Sequence, residues 1–167
     1  MKNQMKKVAI LSAVFLAFLS FEIKAQNYKT AIGIRGGLYN GLTIKHFTGG
    51  NKAIEGLLAS RWGGFNITGL LEFDNSISDV DGLSWFYGFG GHIGSWGNNK
   101  SAYFYDPNQP DTYRYTIIGL DGILGLEFTI PNAPFAFQLD WKPVFNLSGY
   151  NGFIGDGGAF SIRYAIK

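Results

Sequence analysis

Residues 135–145 read F-A-F-Q-L-D-W-K-P-V-F, and this stretch decides the fold. Odd positions carry Phe135, Phe137, Leu139, Trp141, Pro143 and Phe145. Even positions carry Ala136, Gln138, Asp140, Lys142 and Val144. Side chains alternate across a strand, so one face is large and apolar and the other is small or polar, with an acid and a base two residues apart. That polar face suits a charged lumen better than a hydrophobic core. The aromatic face is then the outer one, turned toward lipid.

The same alternation recurs along the chain. Strands are expected at 28–36, 42–47, 53–62, 65–73, 83–95, 117–130, 135–145 and 159–167, separated by segments rich in Gly, Asn, Asp and Pro. No stretch after Ala25 has a 3.6-residue period, and many short alternating segments indicate an all-β barrel or sandwich. Eight is an even number, which returns both termini to one side. The expected fold class is all-β: an eight-stranded antiparallel up-and-down transmembrane β-barrel, formed by one domain over residues 26–167.

Residues 1–25 read as a secretory signal peptide. Lys2, Lys6 and Lys7 precede an apolar run over residues 8–21, and Ala25 offers a small residue at the cleavage point before Gln26. The run is too short for a spanning helix, which needs about 20 apolar residues. Removing this leader takes away four lysines (Lys2, Lys6, Lys7, Lys24) and Glu22, moving the formal charge from +2 to −1. The basic balance therefore belongs to the leader and gives no reason to expect nucleic acid. With no Cys, a disulfide scaffold and thiolate chemistry are excluded. Two His make a His-rich metal site an unfavourable expectation.

The charges inside the expected strands sort onto one face. Lys29, Arg35, Lys45, Glu55, Arg61, Glu72, Asp121, Glu127, Asp140, Lys142, Arg163 and Lys167 all take the polar parity, and the apolar parity has none. Arg or Lys on a lipid-facing wall costs about 2–4 kcal/mol at the midplane. A soluble barrel would show the same alternation with the faces reversed. Three features favour the lipid reading. Trp85, Tyr87, Phe89, Trp141 and Tyr164 would crowd an eight-stranded interior, which is only wide enough for side chains to fill. Gly33, Gly88, Gly90, Gly94, Gly119 and Gly125 sit on the polar parity, where they leave room for long Arg and Glu side chains. The chain also carries an export signal, and its strands suit a bilayer in length. Loop lengths put 96–114 and 148–158 outside the cell and 49–51 and 131–134 in the periplasm.

The motifs Ala53-Ile54-Glu55-Gly56, Arg61-Trp62-Gly63-Gly64 and Tyr87-Gly88-Phe89-Gly90-Gly91-His92 carry a resemblance. So do Gly125-Leu126-Glu127-Phe128, Leu139-Asp140-Trp141-Lys142-Pro143 and Ser161-Ile162-Arg163-Tyr164. Together they resemble the small eight-stranded outer-membrane β-barrel proteins of Bacteroidota, broadly OmpA-like in architecture. The resemblance covers most of the chain after Ala25. It implies a fold and an outer-membrane location in a Gram-negative bacterium, and it implies no catalytic residue.

The candidate site is therefore the lumen, closed by its own charges. First and last strands must meet, which brings Lys29 or Arg35 near Arg163 and Lys167, with Asp140 or Glu55 to offset them. His92 and Gln138 are expected to fill hydrogen-bonding gaps. His92 as a catalytic base lacks a partner in the sequence, and His46, near the periplasmic rim, lacks an adjacent Ser and acid. Gly88-Phe89-Gly90-Gly91 lies within a strand with no helix after it, so it is no phosphate loop. No catalytic residue, metal or cofactor is expected. The expected partners are outer-membrane lipids. An extracellular ligand or protein at loop 96–114, through Tyr103, Phe104, Tyr105, Tyr113 and Tyr115, competes with a plainer role in loop packing. The leading reading is a structural or interaction protein. A narrow, porin-like pore, a lipid-modifying enzyme and a soluble lipocalin-like binding barrel are the alternatives.

Overall fold

The protein is described here by a computed structural model covering residues 28–61, 63–98, 106–149 and 152–166. The expected leader, residues 1–25, and the residues Trp62, Tyr103, Phe104, Tyr105 and Lys167 lie outside the described residues. The strands are β1 (Thr30–Gly37), β2 (Asn40–Gly49), β3 (Lys52–Arg61), β4 (Gly64–Ser76), β5 (Leu83–Gly97), β6 (Arg114–Thr129), β7 (Phe135–Trp141), β8 (Val144–Ser148), β9 (Gly152–Ile154) and β10 (Gly158–Ile166). All pairings are antiparallel. β8 continues β7 beyond Pro143, and β9 leads into β10. The wall therefore has eight staves, and the pairings of β5 with β6 and β1 with β10 close it into a barrel.

The register gives the barrel its shape. Ala136 pairs with Arg163, Arg163 with Gly33, Gly33 with Thr43 and Thr43 with Leu57. Leu57 pairs with Thr68, Thr68 with His92, His92 with Gly119 and Gly119 with Asn146. One circuit thus leaves the seventh stave at 136 and rejoins it at 146, a shear of ten residues. With a rise of about 3.3 Å per residue and about 4.8 Å between strands, that shear tilts the strands by about 40°. The interior of such a barrel is filled by side chains.

Inward glycines make that filling possible. A Cβ on Gly33 would lie 1.9 Å from the Ile162 carbonyl oxygen, and one on Gly90 would lie 1.9 Å from that of Gly69. The space left by inward glycines goes mainly to rings: Trp96 lies over Gly94, His92 over Gly119 and Phe86 over Gly125. The expected use of this space by long Arg and Glu chains holds at Gly88, where the nearest side-chain atom is Glu72 Cγ, and is corrected at these three.

Five placements differ from the sequence reading. Strand pairing along residues 135–145 breaks after Trp141, because Pro143 has no N–H to give a ladder. The expected loop 148–158 contains β9, so the facing stave breaks only at 155–157, where the Lys142 N–H donates to the Gly157 carbonyl. Asp74, assigned to a polar connection, lies in β4 and is buried. Trp96, assigned to the long loop, lies in β5 and is 3% exposed. Lys29 precedes β1 and is exposed, outside the lumen. The last two staves of the closed wall are otherwise placed by the alternation, with Phe160 and Ile162 outward and Ser161 and Arg163 buried.

Candidate functional site

Polarity is inverted relative to a water-soluble domain. The largest fully buried side chains include Arg163, Lys45, Lys142, Gln138, Glu55 and Glu72. Large apolar side chains on every stave face out, among them Ile34, Leu42, Leu58, Ile67, Phe89, Leu120, Leu139 and Phe160. Buried charge is tolerated only when paired and hydrogen-bonded, and here the pairing runs across the lumen.

The first group lies toward the chain termini. Arg163 on β10 forms ion pairs with Glu55 of β3 and, at 2.9 Å, with Glu127 of β6. Its Nε donates to Thr43 Oγ1 (2.9 Å) and its Nη1 to Gln138 Oε1 (2.6 Å). Lys45 on β2 lies 3.0 Å from Glu72, 3.0 Å from Asp74 and 3.2 Å from Glu127, with the Phe86 ring centroid 4.5 Å away. Two cations thus hold four carboxylates drawn from three strands. The Tyr28 hydroxyl closes this end by donating to Glu127 Oε1 at 2.5 Å. Burial, and then the Glu127 charge, hold the Tyr28 phenol well above its ordinary value.

Arg35 on β1 makes a two-pronged pair with Asp140 of β7, both contacts 2.6 Å, and Gln138 donates to the same carboxylate at 2.9 Å. The opposite side of the lumen is apolar: Leu57, Leu70, Phe86 and Ile123, from β3 to β6, pack together. Nearer the loops, Asp121 on β6 pairs with Lys142 and, at 2.6 Å, with His92 Nδ1, while His92 Nε2 lies 3.1 Å from Asn146 Oδ1. At the rim Arg61 pairs with Asp156 through contacts of 3.1 and 2.8 Å. Tyr39, Ala59, Trp96 and Ile117 form an apolar plug there, with Arg61 4.9 Å from the Tyr39 ring centroid. Burial raises the Tyr39 phenol, against a hydrogen bond from Arg61.

The lumen therefore gathers Arg35, Lys45, Glu55, Glu72, His92, Asp121, Glu127, Asp140, Lys142 and Arg163, with Arg61 at its mouth. Asp140 and Glu55 are the acids that meet Arg35 and Arg163. Sequence reasoning missed Asp74, Asp156 and Tyr28. Asp74 has the same parity as Glu72, so carrying the alternation two residues further would have found it. Tyr28 has the outward parity, but it lies before β1 and is free of the strand's alternation. Asp156 sits in a strand break, where parity has no meaning. His46 stays on the outer parity, with Nδ1 2.8 Å from Thr30 Oγ1.

Chemically, this arrangement is a shared network of ion pairs, with more carboxylates than cations at the end toward the chain termini. His92 has both ring nitrogens engaged. Among the described residues no group of three or more His, Asp or Glu is placed to hold a metal ion. No family model matches the chain, and no curated protein matches it.

Proposed function

We propose that the protein is an integral outer-membrane β-barrel of a Gram-negative bacterium, exported by residues 1–25, with a structural or interaction role and a lumen that does not conduct. The observation that carries this reading is the outer wall. Among the described residues, the only Asp, Glu, Lys or Arg side chains in the outward parity of the eight staves are Lys52, which begins β3, and Arg114, which begins β6. Between Ile118 and Phe128 on β6 every outward residue is apolar or Gly. At about 2.5 Å of axial rise per tilted residue, those ten steps span about 25 Å, the height of the apolar band on such barrels. Soluble monomers expose contiguous apolar patches of a few hundred Å² at most, whereas this surface encircles the barrel. Trp85, Tyr87 and Phe73 stack near the terminal end, with centroids 5.7 and 5.4 Å apart, as an aromatic girdle at a membrane interface would.

The ion pairs that cross the lumen favour closure over a pore. No enzymatic role is proposed: the only imidazole inside is committed to Asp121 and Asn146. The test is cell fractionation followed by gel electrophoresis with and without boiling. Sedimentation with the outer membrane and a mobility that changes on boiling support the reading. Soluble protein with one mobility contradicts it.

A further inference from the structure

We infer that the loop end of the lumen contains a binding site for one water molecule, held between Asn66 on β4 and Asn146 on β8. A small cavity of about 10 Å³ opens there, lined by Tyr39, Asn66, His92, Trp96, Asn146 and Ile154 among others. That volume is about one water-sized sphere. Both asparagines are buried, 3% and 2% exposed, and each turns one unpartnered polar atom to its surroundings: the acceptor Asn66 Oδ1 and the donor Asn146 Nδ2. A buried amide atom without a partner bears the whole cost of its lost hydration, so two of them around one small cavity form a strong local demand for hydrogen bonds.

Geometry limits what can meet that demand. Asn146 Oδ1 already faces His92 Nε2, and His92 Nδ1 is committed to Asp121, so the imidazole has no nitrogen left for Asn66. The cavity is too small for an organic ligand, and the two amide atoms in question are one neutral acceptor and one neutral donor. Water fits both: it donates one hydrogen to Asn66 Oδ1 and accepts from Asn146 Nδ2. It thereby ties β4 to β8 across the lumen, beside the plug formed by Tyr39, Trp96 and Ile117. The inference rests on the lumen alone and is independent of the membrane reading.

The experiment is crystallography of the folded full-length mature protein at a resolution that shows ordered solvent, with Asn66→Asp and Asn66→Leu beside wild type. A single well-occupied solvent peak within about 3.2 Å of both asparagine side chains is expected in wild type. Asn66→Asp keeps the acceptor and should keep the peak; Asn66→Leu should lose it. A dry cavity, a side chain filling it, or amides rotated into direct contact with protein partners in wild type overturns the inference. So does an unchanged peak in Asn66→Leu. If Asn66→Leu fails to fold, the wild-type and Asn66→Asp maps decide alone.

Discussion

Arg163 is the side chain on which most of the lumen depends. It is fully buried and touches Glu55, Glu127, Thr43 and Gln138. Removing one partner of a buried pair leaves the other charge uncompensated, at about 3–5 kcal/mol. Arg163→Met should therefore lower the unfolding free energy obtained from urea titration of the folded barrel by an amount in that range, and adding Glu55→Gln should restore part of it. Asp156, partly open at the rim, pairs with Arg61 in a more solvated place, so Asp156→Asn should cost less, about 1 kcal/mol or below. A larger loss for Asp156→Asn than for Arg163→Met would contradict the placement of the two pairs. Tyr28 adds a pH dependence. Its folded phenol holds its proton above the ordinary value of about 10. The stability this confers is fully present below pH 10 and is lost as pH rises from there through the folded value, because the unfolded chain releases the proton first. Tyr28→Phe should flatten the fall in unfolding midpoint measured between about pH 10 and 12; an unchanged slope would count against it.

Among the strands, the alternation in residues 135–145 carried most of what could be read in advance. It placed Ala136, Gln138, Asp140, Lys142 and Val144 inside, and all five are buried. Strand periodicity is a local signal, so it fails where the ladder fails. It could not show the break at Pro143, the paired break at 155–157, or the inward reach of Tyr28 from outside β1. It also could not say which acid meets which base, because pairing across a lumen depends on shear and ring contacts that no single strand encodes. Glycine parity was legible, and its use only in part: Glu72 takes the space at Gly88, but the rings of Phe86, His92 and Trp96 claimed it at Gly125, Gly119 and Gly94. This yields a test on one stave pair. Gly90 faces inward and a Cβ there meets backbone at 1.9 Å, whereas Gly69 faces outward with nothing within 4 Å. Gly90→Ala should sharply reduce the fraction of protein that runs as the folded, heat-modifiable form, while Gly69→Ala should leave it unchanged. Equal folding yields would contradict the assigned faces.

For the molecule as a whole, the account is of a barrel turned inside out, with charge within and an apolar wall without. Leu124 lies on that wall, 49% exposed and several residues from either end of β6. Leu124→Arg should cost about 2–4 kcal/mol in a bilayer and far less in a soluble setting, as read by urea unfolding from lipid vesicles. Wild-type protein in planar bilayers should show no large steady conductance; a stable ohmic channel would restore the pore reading. Tryptophan position gives the most direct measurement of all. Trp85 and Trp141 are 41% and 47% exposed on the outer face, and Trp96 is 3% exposed within. In vesicles whose acyl chains carry bromine, variants retaining one of these tryptophans each report contact with lipid by loss of fluorescence. The account predicts strong quenching of Trp85 and Trp141 and little of Trp96. Equal quenching of all three, or quenching of Trp96 alone, would contradict it.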